Sequence, residues 1–160
     1  MILFKFNADS KLNDWRTVDD GVMGGQSHGD FKINTEGYGE YTGDISLKNN
    51  GGFSSLRYRF NTIESHQFTK FKIKIKGDGK TYQFRVKRTS DQRYSYVTTF
   101  TTTGNWQITE IPFNAMYAWF RGSKVDVPNF NGDQMEQIAF LIGNKKEEHF
   151  KLLIDSIRLE

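Results

Sequence analysis

The amino-acid sequence predicts an all-β protein, a sandwich or barrel of about ten short strands, formed by one domain over residues 1–160. Apolar and polar residues alternate along many short segments, as they do in strands that bury one face. Fourteen Phe, seven Tyr and three Trp supply large flat side chains, which favour strands. Only one short segment has a helical pattern. Two stacked sheets, or one closed sheet, allow each of these strands to bury its apolar face.

The first half of the chain contains four strand candidates joined by polar and glycine-rich turns. Met1–Phe6 is apolar except for Lys5 and predicts the first strand, and Trp15 is expected to fill one end of the core. Asn and Gly tolerate the left-handed conformations of tight turns, so a turn is expected before the fourth strand. The remaining strand candidates are Phe31–Asn34, Tyr38–Leu47 and Phe53–Phe60, and the turn is Asn49–Gly52.

The clearest alternation comes at Lys70–Lys76, where Phe71, Ile73 and Ile75 point one way and four lysines point the other. Gly77–Lys80 then predicts a hairpin turn into a second alternating strand at residues 82–88. The elements that follow are a strand at Tyr94–Thr102, a strand at Trp106–Ile111, a short helical stretch at Asn114–Phe120, a loop at Gly122–Asp133, and strands at Gln137–Ile142 and Phe150–Leu159.

Two glycine-rich segments, Asp19–Ser27 and Asn49–Arg57, dominate the first third of the chain. Nine of the fifteen glycines lie between Gly21 and Gly52. Glycine permits positive φ and a close approach of the backbone to its neighbours, so this region is expected to make unusual turns. Neither segment is expected to be helical.

Composition excludes several classes of function. The chain has no cysteine, which removes disulfides, thiolate zinc sites and thiol catalysis. It has no apolar run near the roughly 20 residues of a membrane-spanning helix, and its N-terminal apolar run is shorter than that of a signal peptide, so a cytoplasmic protein is expected. The net charge of +3 is too small to imply nucleic acid. Positive charge is nevertheless concentrated between Lys70 and Arg93, where nine basic residues face two acidic ones.

Two blocks of residues carry a family resemblance. The first consists of Trp15, Asp20, Gly21, Val22, Met23, Gly24, Gly25 and Ser27, and the second of Asn50, Gly51, Gly52, Phe53, Ser54, Ser55 and Arg57. With supporting matches at Gly77–Lys80, Trp106, Arg121–Gly122 and Ile154–Ile157, they resemble the complex I intermediate-associated protein 30 family. The resemblance implies a jelly-roll β-sandwich of the galactose-binding type, also seen in carbohydrate-binding modules. It also implies a non-catalytic role in assembling NADH:ubiquinone oxidoreductase.

No pattern of catalytic or cofactor-binding residues stands out. The three histidines, His28, His66 and His149, are scattered without ligand spacing, and no Gly-x-Ser-x-Gly elbow precedes a helix. Gly79-Lys80-Thr81 lacks the helix that a phosphate-binding loop requires. We therefore predict a protein that is not an enzyme and binds no cofactor.

Carboxylates leave one metal hypothesis to weigh. Asp19, Asp20 and Asp155 could supply oxygen ligands to a structural calcium ion near the chain ends. The alternative, which the sequence favours because no Asp-x-Asp-x-Asp-Gly loop is present, is that Asp20 caps a turn through its side chain. We predict no metal.

The candidate binding site centres on Arg57, which lies just beyond a Gly-Gly turn on the same strand face as Phe53 and Ser55. One hypothesis is a groove in which Arg57 anchors a ligand together with Arg85, Tyr96 and Trp119. The other is an internal salt bridge from Arg57 to Asp20 or Glu40, because an inward-facing arginine needs a partner.

The basic strands 70–76 and 82–88 are expected to share one sheet face. That face is either a solvated surface on which lysines protect a sheet edge or a contact for an acidic protein or an anionic membrane. Nucleic acid is not expected, since no recognition motif accompanies the charge.

Two functions follow as hypotheses. The first is a protein-binding assembly factor resembling those of respiratory complex I, with protein subunits or assembly intermediates as partners. The second is a carbohydrate-binding module, in which Tyr94, Tyr96 or Trp119 would serve as aromatic platforms for sugar rings.

Overall fold

The computed structural model describes residues 1–160, apart from the side chains of Val22 and Met23. Thirteen strands and three single turns of 3-10 helix form within this described chain. The 3-10 turns are Asp20–Met23, Lys48–Asn50 and Phe113–Ala115. The strands are β1 (Ile2–Lys5), β2 (Trp15–Asp19), β3 (His28–Ile33), β4 (Gly39–Ile45), β5 (Ser54–Glu64), β6 (Lys70–Lys76), β7 (Thr81–Lys87), β8 (Ser95–Thr101), β9 (Trp106–Pro112), β10 (Tyr117–Phe120), β11 (Ser123–Lys124), β12 (Gln134–Ile142) and β13 (Glu148–Leu159).

The strands form two antiparallel sheets. The six-stranded sheet has the order β3-β4-β13-β6-β9, with β1 also paired to β13. The seven-stranded sheet has the order β11-β10-β8-β7-β12-β5-β2. The sheets pack face to face as a jelly-roll β-sandwich, which confirms the predicted fold class.

One hydrophobic core fills the space between the sheets. Phe71, Ile73 and Ile75 of β6 are fully buried, as their alternation with lysine predicts. Phe71 meets Phe84 of the opposite sheet with their ring centroids 4.8 Å apart, an edge-to-face contact that joins the two layers. Burying each such ring contributes roughly 1.5–3 kcal/mol relative to leaving it exposed. The outer faces of the sheets are therefore free to carry polar side chains.

Aromatic side chains close one end of the core around Trp15, as the sequence predicts. Trp15 stacks on Tyr58 with ring centroids 4.6 Å apart and an interplanar angle of 10°. The rings of Phe4, Phe6 and Phe31 complete the cluster. Strands β1, β2, β3 and β5 are held together at this end.

The segment Gly77–Lys80 connects the two sheets, so the predicted hairpin turn is wrong. Strand β6 pairs with β13 and β9, whereas β7 pairs with β12 and β8. Contacts on both sides hold the connection in place: Asp78 accepts hydrogen bonds from the Tyr82 hydroxyl at 2.9 Å and from the backbone N–H of Lys151 at 2.8 Å. The two basic strands therefore lie in different sheets, and the prediction that they share one face is also wrong.

Two other local predictions need correction. The first glycine-rich segment contains a 3-10 turn at Asp20–Met23, although no helical structure was expected in it. The element Lys48–Asn50 overlaps the second segment only at Asn49 and Asn50, whose φ of 55° and 59° is left-handed, as predicted for this turn. In the predicted helical stretch Asn114–Phe120, the 3-10 turn covers only Phe113–Ala115, and the aromatic residues that follow form β10 because they pair with β8. None of these single turns, which are the helices among the described residues, is long and apolar enough to cross a membrane.

Candidate functional site

A groove lined with basic side chains lies on the outer face of the seven-stranded sheet. In the strand register, Arg57 of β5 is opposite Ala139 of β12, and Ala139 is opposite Arg85 of β7. Because neighbouring strands lie about 4.8 Å apart, the two arginines start about 10 Å from each other with only a methyl group between them. The resulting cavity has a volume of about 200 Å³. We call it the basic groove; its lining includes Arg57, Arg85, Lys87, Arg93, Trp119, Arg121, Gln137 and Ala139.

The cations of the basic groove have no acidic partner. Among the described residues, no salt bridge involves Arg57, Arg85 or Lys87. Burial lowers the pKa of Arg57, and the charges of Arg16 and Arg59 lower it further. Burial also lowers the pKa of Arg85 to about 10, with Arg57 adding to the effect. These side chains are crowded with like charge and partly removed from water.

Lys87 lies in the same electrostatic environment. Burial is the main cause of its lowered pKa, followed by the charges of Arg57, Arg59 and Arg85, while the charge of Asp91 partly opposes the shift. A cation whose pKa is lowered is destabilised in its charged form. An anion bound among these residues would therefore relieve an unfavourable charge distribution.

Two glutamine side chains shape the site. The Gln83 amide oxygen accepts hydrogen bonds from Arg85 Nε at 3.0 Å and Nη2 at 2.7 Å, which fixes one edge of the guanidinium group. Gln137 lies at the base of the groove and is only 5% exposed. Its side-chain amide makes no hydrogen bond to a described residue and is open to the groove, where a ligand could reach it.

The rim of the groove contains a strained hairpin turn. Strands β10 and β11 are joined by Arg121 and Gly122, with φ of 48° and 79°. This geometry is that of a type I′ turn, in which Asn or Gly normally takes the first position. The guanidinium carbons of Arg93 and Arg121 each lie 5.1 Å from the centroid of the Phe120 ring.

The structure brings together three of the five residues predicted for the binding site. Arg57, Arg85 and Trp119 all line the basic groove. Tyr94 and Tyr96 do not, because their side chains alternate away from Ser95, which faces the groove. Tyr96 is 6% exposed and packs against the core residue Phe130, with ring centroids 5.1 Å apart.

The alternative of an internal salt bridge from Arg57 is wrong. Glu40 pairs instead with Lys32 at 3.6 Å and with Lys151 at 3.4 Å, on the outer face of the six-stranded sheet. The Asp20 carboxylate is occupied by other hydrogen bonds, described below. Neither acid contacts Arg57.

Sequence reasoning missed three groove residues. Arg93 and Arg121 lie in loops, where no periodic pattern indicates which way a side chain points. Gln137 is a polar residue in an otherwise apolar segment, and this was the available signal. Ile138 and Phe140 face the core, and side chains alternate along a strand, so Gln137 lies on the outer face.

The lysines of β6 occupy the opposite surface of the sandwich, and two of the four are ion-paired. Lys70 lies 3.0 Å from Glu110, and Lys72 lies 3.5 Å from Glu160. Lys74 stands 6.0 Å from the centroid of the Trp106 ring. Because β6 lies between β13 and β9, these lysines protect no sheet edge. The two outer faces therefore differ in how their positive charge is compensated.

The two family-type blocks meet at the carboxylate of Asp20, which is fully buried. Its Oδ1 accepts the Ser27 N–H at 2.9 Å, and its Oδ2 accepts the Ser27 hydroxyl at 2.6 Å. From the second block it accepts the N–H groups of Gly52 at 2.6 Å and Phe53 at 3.3 Å. Asp20 therefore bridges the two glycine-rich segments rather than facing the groove.

The glycines of these blocks leave room for that bridge. A Cβ atom at Gly25 or at Gly51 would overlap the Asp20 carboxylate, whereas one at Gly21 would have no heavy atom within 4 Å. Asn50 has a φ of 59° and Gly24 a φ of 89°, as expected for tight turns. Met23 belongs to the same block, but its side chain lies outside the described residues.

The carboxylates of the calcium hypothesis are engaged separately. Asp19 accepts the Ser54 hydroxyl at 2.5 Å and the Gly29 N–H at 3.0 Å, and Asp155 pairs with Lys5 at 2.6 Å. Among the residues that the structure describes, no group of three or more metal-ligating side chains is present. The turn-capping role weighed for Asp20 agrees with its contacts to backbone N–H groups.

Solved structures of carbohydrate-binding modules share this fold. The family 11 module of the cellulosomal cellulase Lic26A-Cel5E of Clostridium thermocellum matches with a TM-score of 0.69 at 17% identity, over 99% of this chain and 92% of that one. The C. thermocellum family 11 module in complex with a β-1,3-1,4-mixed-linked tetrasaccharide gives 0.66 at 18% identity, over 97% and 94%. The agarase AgWH50C gives 0.63 at 11% identity, over 100% of this chain and 24% of that one. The protein thus has the jelly-roll β-sandwich fold that these modules also have.

The sequence itself then identifies the family. The model of the complex I intermediate-associated protein 30 family matches residues 4–154, and the chain belongs to that family. No curated protein sequence matches the chain.

Proposed function

We propose that this protein is a non-catalytic, protein-binding assembly factor and that the basic groove is its contact surface. The observation that carries the proposal is the set of partly buried cations Arg57, Arg85 and Lys87, which have no acidic partner among the described residues. Family membership supports it, because the family is described by its association with complex I intermediates. The proposed partners are subunits or assembly intermediates of that respiratory complex.

The histidines support a role without turnover. His28 contacts Asp30 and His149 contacts Asp44, and all four side chains are at least 69% exposed. Neither histidine touches a hydroxyl that it could activate as a nucleophile. These pairs have the character of surface ion pairs, which contribute little to stability or chemistry.

Carbohydrate binding is the second candidate, and Trp119 is the observation that favours it. Trp119 borders the groove, and a structural relative with the same fold was solved with a tetrasaccharide. Sugar recognition by stacking needs a flat exposed ring, and near the groove Tyr117 lies beside Trp119 with ring centroids 6.1 Å apart, whereas other aromatic side chains are less suited. Tyr96 is buried, and the Phe120 ring has Arg93 and Arg121 close to it. The cationic lining therefore favours a charged partner over a neutral glucan.

Affinity capture from cells of the source organism, followed by mass spectrometry, tests the proposal. The bait is compared with the double variant Arg57→Gln/Arg85→Gln and with Lys74→Gln/Lys76→Gln, which removes the same charge from the opposite face. We expect the wild type and Lys74→Gln/Lys76→Gln to capture NADH dehydrogenase subunits, and we expect Arg57→Gln/Arg85→Gln to lose them. Circular dichroism and melting confirm that each bait is folded. Absence of those subunits from the wild-type capture would refute the assembly role, and binding of mixed-linkage glucan would support the second candidate.

A further inference from the structure

The arrangement of charge on the basic groove carries a more specific inference. Across the register, Arg16 is opposite Arg57, Arg57 is opposite Ala139, and Ala139 is opposite Arg85. In the next row on the same face, Arg59, Gln137 and Lys87 are opposite one another. Five cations on β2, β5 and β7 thus surround the two uncharged residues of β12. Arg57, Arg85 and Lys87 line the basic groove, and Arg16 and Arg59 line a neighbouring cavity that also includes Asp14. A cationic field of this extent, across roughly 15 Å of sheet, is larger than one small anion can contact.

The opposite face of the sandwich provides an internal comparison. There, Lys5, Lys70 and Lys72 lie within 3.5 Å of Asp155, Glu110 and Glu160, whereas Lys74 and Lys76 form no salt bridge with a described residue, so the positive charge is compensated in part within the chain. On the groove face, Arg57, Arg85 and Lys87 form no salt bridge with a described residue, and only the more distant charge of Asp91 acts on Lys87. Desolvated charges are normally paired, because leaving one unpaired costs several kcal/mol. The missing negative charge is therefore expected to come from a bound molecule.

The base of the groove fits a hydrogen-bonding ligand. Gln137 is 5% exposed as a residue, its amide is open to the groove, and it lies in the row between Arg59 and Lys87. Ala139 presents only a methyl group, which leaves space above it for a ligand to reach both arginines. An amide N–H donor beside two guanidinium groups is suited to carboxylate oxygens, and Arg matches carboxylate with a planar pair of donors.

Resting on the assembly role proposed above, we propose that the basic groove binds an acidic, extended segment of the partner protein through at least two of its Asp or Glu side chains. In an extended chain, side chains two residues apart lie on one face about 7 Å from each other. That spacing allows one carboxylate to reach Arg57 and the next to reach Arg85, whose backbones stand about 10 Å apart. Rim cations Arg93 and Arg121 extend the contact beyond the groove.

The rim turn agrees with a binding role for Arg121. A non-glycine residue at a φ of 48° is held in a conformation that Asn or Gly adopts more readily. Here the turn places a cation beside Phe120 and the groove. Strained residues of this kind are concentrated at binding sites.

Fluorescence polarisation with labelled peptides tests the inference. One peptide carries alternating Glu and Gly residues, and the matched peptide carries Gln in place of every Glu. We expect the acidic peptide to bind the wild type. Because several charges take part in the contact, its affinity should fall at least tenfold as the salt concentration rises from about 50 to about 300 mM. We expect no measurable binding of the Gln peptide.

Matched variants locate the site. Arg57→Gln/Arg85→Gln is expected to lower the affinity for the acidic peptide at least tenfold, which corresponds to roughly 1.4 kcal/mol of binding free energy. Lys74→Gln/Lys76→Gln is expected to change that affinity less than twofold. Gln137→Leu tests the amide separately and is expected to weaken binding without changing the net charge. Equal losses in both double variants would overturn the inference, since only net charge would then matter.

Competition and capture separate the remaining outcomes. Inorganic phosphate or a short oligouridylate that binds more tightly than the acidic peptide would also overturn the peptide assignment. If affinity capture recovers the proposed subunits and loses them with Arg57→Gln/Arg85→Gln, but no acidic peptide binds, the assembly role stands and this inference fails. If the acidic peptide binds at the groove but capture recovers no such subunit, the inference stands and the proposed client fails.

Discussion

The carboxylate of Asp20 accepts a hydrogen bond from the backbone N–H of Gly52 at 2.6 Å, and this contact joins positions 32 residues apart in the chain. Because Asp20 also accepts the N–H and hydroxyl of Ser27, one buried carboxylate holds the two glycine-rich segments together. Such an arrangement is sensitive to small changes. Folding removes these N–H and O–H donors from water, so each one would be left without a partner if the carboxylate were changed.

Replacing Asp20 with Asn is expected to lower the free energy of unfolding by about 2–4 kcal/mol. An amide NH₂ group would face donors that now meet an oxygen, and the charge that strengthens these bonds would be lost. Urea denaturation followed by tryptophan fluorescence measures the effect. Asp30→Asn is the control, since the Asp30 side chain is 70% exposed, and it is expected to change stability by less than about 0.5 kcal/mol. Equal effects of the two variants would contradict the bridging role.

Acid should weaken the same bridge. Burial alone would raise the pKa of Asp20, but hydrogen bonds from Ser27, Gly52 and Phe53 outweigh it and hold the pKa below its usual value. A carboxyl group with a lowered folded pKa contributes stability above its unfolded pKa, near 3.9, and this contribution disappears as the pH falls through the folded value. The stability difference between wild type and Asp20→Asn is therefore expected to shrink below about pH 4. A difference that stays constant from pH 7 to pH 3 would contradict this account.

A methyl group beside the bridge should be costly at one glycine and tolerated at another. Gly25→Ala would place its Cβ on the Asp20 carboxylate, whereas Gly21→Ala would meet open space. We expect a loss of about 2–4 kcal/mol for the first and a change within about 0.5 kcal/mol for the second. Thermal melting of both variants provides the comparison, and similar melting temperatures would show that the close approach at Gly25 is not required.

Removing one groove cation should stabilise the free protein. Arg85 is partly buried near Arg57, so Arg85→Gln relieves repulsion and desolvation and is expected to raise the free energy of unfolding by about 1 kcal/mol. Lys76→Gln, on the other sheet, serves as the control with an expected change below about 0.5 kcal/mol. The measurement is denaturant unfolding at low salt. Destabilisation by Arg85→Gln would indicate that Arg85 has a structural role.

The rim turn leads to a parallel expectation. Arg121→Asn keeps a residue suited to positive φ and is expected to stabilise the protein by about 0.5–1 kcal/mol. The same change removes a rim cation, so affinity for an acidic peptide should fall. Unfolding and peptide titration of this variant are measured side by side, and a gain in affinity would contradict the assignment of Arg121 to the contact.

Much of the fold could be predicted from local patterns. The alternation along Lys70–Lys76 correctly gave a strand with one buried face, and the aromatic composition gave the all-β class. Sheet membership could not be predicted in this way. Alternation indicates which side of a strand is buried but not which strands lie beside it, so β6 and β7 were expected to form a hairpin although they belong to opposite sheets.

The site was predictable to the extent that strand parity was used. Arg57 and Arg85 each lie on the polar side of an alternating strand, and the structure places both in the groove. Tyr96 was chosen for its aromatic ring, but it has the same parity as Phe100, which faces the core. The loop residues Arg93 and Arg121 carry no periodic signal, so only the three-dimensional arrangement reveals them.

The unequal charge compensation of the two sheet faces also affects how quickly and in what orientation a partner arrives. The salt bridges of Lys70 and Lys72 weaken the field of the six-stranded sheet, whereas the cations of the basic groove, which form no salt bridge with a described residue, project a field over a Debye length, about 10 Å at 0.1 M salt. An acidic partner would be turned toward the seven-stranded sheet before contact. Diffusional encounters would then be productive more often than random collision allows, and the association rate constant would respond to ionic strength more strongly than the dissociation rate constant.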